Sequence, residues 1–66
     1  MKIFLNGKKI NVDNNLTAQQ LLYGMGYHNK RVALEINGEV IPKSECSNKI
    51  VVENDKVEVI VAVGGG

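Results

Sequence analysis

Asn-Gly occurs twice, at Asn6-Gly7 and Asn37-Gly38, each time between short runs that alternate apolar and polar residues. This constrains the fold more than anything else in the chain. A two-residue type I′ hairpin turn needs positive φ at both central positions, and Asn-Gly supplies it at little steric cost. Alternation with a period of two then turns one side of each flanking strand toward a core. In the first hairpin, residues 2–6 put Ile3 and Leu5 on one face and Lys2 and Phe4 on the other. Residues 8–12 return with Ile10 and Val12 sharing a face. In the second, Val32, Leu34 and Ile36 alternate with Ala33 and Glu35. Glu39-Val40-Ile41 is the short return strand. Pro42 has no N–H to donate, so it ends that strand or lies on a sheet edge.

Between the hairpins the period changes. Thr17 and Gln20 have capping-box spacing, and Ala18, Leu21, Leu22 and Met25 fall on one helical face. Gly26 suits a left-handed terminator. After the second hairpin, residues 43–48 form a polar loop with room for a 3₁₀ turn, and residues 50–52 are short and extended. Asn54-Asp55 turns the chain into a last strand over residues 56–63. The economical arrangement is α+β: a mixed sheet of four to five strands with one main helix on one face. If the last strand lies parallel to the first, the architecture is a β-grasp.

Length and charge remove whole classes of function. A chain of 66 residues makes one small domain with little room for both a core and a catalytic pocket. Eight basic residues against seven acidic ones leave a net charge of +1, so no pull toward nucleic acid or an anionic membrane is expected. No run approaches membrane-spanning length, and no secretory apolar segment opens the chain. The single cysteine, Cys46, forms no internal disulfide, which fits a reducing cytoplasm. One histidine, His28, and one cysteine make no metal site, and His28 reads as a solvated loop residue. Cys46 reads as a structural thiol. Neither phosphate-binding glycine motif occurs, and no nucleophile–base pair is visible. Tyr23, Tyr27 and Phe4 are too scattered for a base-stacking platform.

The apolar run at 57–63 leads into Gly64, Gly65 and Gly66. Glycine gives a strand nothing to pack. The expected organisation is a domain over residues 1–63 and a flexible arm over 64–66, reaching about 10 Å when extended. An arm without β-carbons can enter a tunnel closed to branched side chains, so the chemistry is expected on the Gly66 carboxylate, inside a partner's active site. On the outer side of the sheet, Phe4, Ile60 and Ala62 form an expected apolar docking patch near the base of the arm.

The segments Arg31-Val32-Ala33-Leu34-Glu35-Ile36-Asn37-Gly38-Glu39-Val40-Ile41-Pro42-Lys43-Ser44-Glu45, Asp55-Lys56-Val57-Glu58-Val59-Ile60 and Val63-Gly64-Gly65-Gly66 resemble the ThiS family. These are the ubiquitin-like β-grasp sulfur carriers of thiamine thiazole biosynthesis, and the resemblance covers the whole chain. Cys46 departs from it, standing where an aromatic residue is the family's habit. The resemblance implies a carrier, not an enzyme, that binds no cofactor itself. A ThiF-type adenylating enzyme would use ATP and magnesium to activate Gly66. A cysteine desulfurase or other persulfide donor would supply sulfur, giving a terminal thiocarboxylate. A ThiG-type thiazole synthase would consume it. Val63, Gly64 and Gly65 would set the reach of the arm. The competing readings are a molybdopterin-synthase small subunit, a tRNA-thiolation carrier, a ubiquitin-like modifier and a non-catalytic interaction module.

Overall fold

The computed structural model describes residues 1–27 and 31–61. Five strands form one sheet in the order β2-β1-β5-β3-β4. They are β1 (Lys2–Leu5), β2 (Lys8–Asn11), β3 (Val32–Ile36), β4 (Glu39–Pro42) and β5 (Lys56–Val61). Both Asn-Gly pairs make the expected turns: Asn6 and Gly7 have φ of 50° and 82°, and Asn37 and Gly38 have 53° and 87°. Each turn fixes a register. Leu5 lies opposite Lys8, and Ile36 lies opposite Glu39. β5 runs parallel to β1 and antiparallel to β3, so the last strand joins the two hairpins at the centre of the sheet. This is the expected β-grasp.

The helix α1 (Ala18–Gly24) starts as its cap predicts. Thr17 Oγ1 accepts from the Gln20 backbone N–H, and the Gln20 side chain accepts from the Thr17 N–H. It ends in a Schellman arrangement: Tyr27 N–H donates to Leu22 and Gly26 N–H to Tyr23, with Gly26 at φ 88°. Met25 is therefore the C-cap and lies past the helix proper, packed against the core from its edge. The polar stretch after β4 is more regular than a loop with one turn: Lys43–Asn48 is a six-residue 3₁₀ helix. Ile50 makes only an isolated bridge to Thr17, flanked by bonds from Ala18 N–H to Lys49 and from Val51 N–H to Leu16.

The core lies between sheet and helix. Ile3, Leu34, Ile36, Ile41 and Val57 point inward from four strands. Ala18, Leu21 and Leu22 meet them from α1, and Cys46 and Val51 close the side. Pro42 ends edge strand β4, where its missing N–H costs no ladder bond.

Candidate functional site

The site of interest is the stretch of β5 leading toward Val63 and the three glycines. Its beginning is held on both sides. Phe4 N–H donates to Asp55 and Asn6 N–H donates to Val57, while Asn37 N–H donates to Lys56 from the β3 side. A buried carboxylate, Asp55, fixes this entry. Its Oδ1 accepts from Asn37 Nδ2 at 2.9 Å and its Oδ2 accepts from Val52 N–H at 2.9 Å. Asn37 Oδ1 in turn accepts from Lys56 N–H. The residue that makes the second hairpin turn thus also pins the start of β5.

β1 turns away after Leu5, and the flank of β5 opens there. Asn6 closes the first gap with its side chain: Oδ1 accepts from Val59 N–H at 3.1 Å. Beyond that bond β5 is paired only with β3, as far as Val61 opposite Val32. Alternation in the sequence puts Val57, Val59, Val61 and Val63 on one face of the last strand, expected to turn inward toward the helix, and Val61 departs from that expectation. Val57 is buried and Val59 half-buried, but Val61 is 50 % exposed, because the β1–β2 hairpin does not reach that far.

On the outer face the docking residues expected from sequence are placed differently from one another. Phe4 lies opposite Lys56, whereas Ile60 is four residues farther along β5 and lies opposite Ala33. At roughly 3.3 Å per residue the two are about 13 Å apart along the strand direction, with Glu58 between. Phe4 and Ile60 share a face but are not neighbours. Ile60 instead joins a lateral row with Ala33 and Pro42, since Ala33 faces Ile60 on one side and Pro42 on the other. Val40 lies one step away in β4 and is 53 % exposed. The signal for this row was present in the alternation of Val32–Ile36 and the register set by Asn37-Gly38. It needed the β3–β5 pairing to become visible. Ala62, Val63, Gly64, Gly65 and Gly66, together with His28, lie outside the described residues.

Cys46 is fully buried, and its Sγ donates to the Pro42 carbonyl at 3.4 Å. Burial raises its pKa, and the nearby Lys43 cation partly offsets this. A protonated, enclosed thiol is a packing group and a poor nucleophile. Among the described residues no group of histidine, cysteine and carboxylate side chains could hold a metal ion, and no helix is long and apolar enough to cross a membrane.

A five-stranded β-grasp whose central strand β5 comes shortly before three glycines in the sequence defines a class: small ubiquitin-like proteins. The comparisons narrow it. The ThiS family model matches residues 3–66, and the chain belongs to that family. The crystal structure of the thiamine biosynthesis protein ThiS from Geobacter metallireducens superposes with a TM-score of 0.82 at 32 % identity, each chain covered completely. Thiazole synthase from Paramagnetospirillum magneticum is 36 % identical over 66 residues, all of this chain but 20 % of that protein. The chain therefore spans about a fifth of the length of that relative. The ycf40 protein of Porphyra purpurea is 35 % identical and is covered over 93 % of its length. Family membership supports a sulfur-carrier role.

Proposed function

We propose that this chain carries sulfur for assembly of the thiamine thiazole, with the Gly66 carboxylate as the attachment point. That carboxylate is ionised at neutral pH, with an ordinary pKa of about 3.3–3.7, and is a poor electrophile. A ThiF-type enzyme with ATP and magnesium joins it to AMP and releases pyrophosphate. The terminal sulfur of a cysteine-desulfurase persulfide, or of another persulfide donor, then displaces AMP. A thiol cleaves the resulting acyl disulfide, supplying two electrons and leaving a terminal thiocarboxylate. Thiazole synthase takes the sulfur from it. Val63, Gly64 and Gly65 carry the reacting group into each partner, which converts a reaction of free sulfide into a positioned one. The chain supplies the arm, and its partners supply the catalytic groups.

The observation that carries this reading is the end-to-end match to the Geobacter metallireducens ThiS structure. The thiazole synthase relative, in which a region similar to this chain is part of one longer polypeptide, favours the thiazole pathway over molybdopterin or tRNA thiolation. Complementation tests the choice. A strain lacking its thiamine sulfur carrier should grow without thiamine when given this chain. The same chain without Gly65 and Gly66 should fail. Rescue of a molybdenum-cofactor auxotroph in place of the thiamine auxotroph would contradict the assignment.

A further inference from the structure

The outer sheet face holds an arrangement that folding alone does not favour. β3 and β5 pair so that Glu35 lies directly opposite Glu58. Like charges in opposed positions of an antiparallel pair destabilise it. Neither carboxylate has a hydrogen-bond or ion-pair partner among the described residues. Lys56 lies on the same face two residues before Glu58, and nothing joins its ammonium to either acid. Glu35, Asn37, Gly38, Lys56 and Glu58 line a shallow depression of about 430 Å³. The amide of Asn37 is already committed to Asp55 and Lys56, so the carboxylates are the acceptors left to a visitor. The apolar row of Ile60, Ala33 and Pro42 borders this notch, with Val40 beside Glu35.

An apolar row alongside a notch that holds two carboxylates and one ammonium, Lys56, fits a protein surface that is apolar with a protruding cation. It does not fit a second copy of this chain across the same face, which would bring four carboxylates together. It does not fit nucleic acid or an anionic membrane, whose phosphates the same charges repel. We propose that this face docks on thiazole synthase through an apolar patch carrying an arginine or lysine that seats against Glu35 and Glu58. Arginine suits the notch better, because its planar fork reaches two carboxylates at once. This inference rests on the carrier reading above, and it adds the chemistry by which the synthase recognises the body of the carrier.

The test is binding of the intact chain to purified thiazole synthase, with wild type compared to E35Q/E58Q and E35K/E58K. Opposed charges act on encounter and are screened by salt. The charge-reversed variant should bind about tenfold or more weakly. Wild-type affinity should fall with rising salt, and that dependence should flatten in E35Q/E58Q. The melting temperature of E35Q/E58Q should be no lower than wild type, since its repulsive pair is gone, whereas E35K/E58K exchanges one opposed like-charged pair for another beside Lys56 and is assayed well below its own melting temperature. Affinity of E35K/E58K equal to wild type overturns the proposal. So does wild-type self-association that the reversal alters. Thiocarboxylation of Gly66 is scored on the same samples. If sulfur is loaded but the charge variants bind normally, the docking inference fails alone. If wild type neither accepts sulfur nor binds the synthase, the carrier reading fails with it.

Discussion

Single asparagines and one aspartate do most of the positioning around β5. Asp55 is 5 % exposed and joins the Val52 backbone to the Asn37 side chain. Replacing it with alanine leaves two donors without an acceptor, each costing about 1–3 kcal/mol. A chemical-denaturation midpoint should show Asp55→Ala as more damaging than Glu53→Ala, whose carboxylate accepts one exposed bond from Lys2 N–H. The sequence announced Asn6 and Asn37 as turn residues. It did not announce their second tasks, because a side-chain bond across 53 positions, from Asn6 to Val59, depends on which strands become neighbours. Cys46 read as a structural thiol from the sequence, but nothing local told how deeply residues 43–48 would pack. Its raised pKa sets a sign for pH dependence. At neutral pH both folded and unfolded thiols stay protonated. As pH climbs past the ordinary thiol value the unfolded chain ionises first, so this group's contribution to stability is lost toward alkaline pH. The thiol should react with a disulfide reagent far more slowly in the native protein than in urea at pH 8. Equal rates would contradict its burial.

At the scale of elements, local signals were strongest where the chain closes a structure on itself. Two Asn-Gly turns and one capping box gave both hairpins and the start of α1. Thr17→Ala should cost about 1 kcal/mol by removing the acceptor for the Gln20 N–H. A thermal melt unchanged by that substitution would contradict the cap geometry. Leu22→Ala, at 0 % exposure between helix and sheet, belongs in the range of about 2–5 kcal/mol. The signals were weakest where elements meet. Alternation correctly put Phe4 and Ile60 on one face, yet only the Phe4–Lys56 register shows how far apart they are. The same register explains why Val61 is open while Val57 is sealed. Removing one member of the opposed Glu35–Glu58 pair, by Glu58→Gln, should stabilise the isolated protein by about 0.2–1 kcal/mol. A loss of stability on that change would mean the pair is compensated within the fold.

The whole molecule is a scaffold in which the last strand is also the central one. Parallel pairing with β1 and antiparallel pairing with β3 hold β5 from Lys56 to Val61. Its register is set by both hairpins and the Asp55 network. Family membership was legible in the sequence through the middle segment and the arm, and the fold through its turns. The opposed Glu35–Glu58 pair was not, because it forms only when the β3–β4 hairpin lies beside the later strand β5. Deleting Gly65 and Gly66 should leave the melting temperature unchanged while abolishing sulfur loading. Intact mass spectrometry is the most direct check of the carrier role. The chain is incubated with a ThiF-type enzyme, ATP, magnesium, a persulfide-generating desulfurase and a thiol. The expected product is heavier by the replacement of one oxygen with sulfur, with fragmentation placing the change at Gly66. An unmodified mass with an adenylating enzyme active on its own carrier would contradict the account, as would sulfur bound at Cys46 instead.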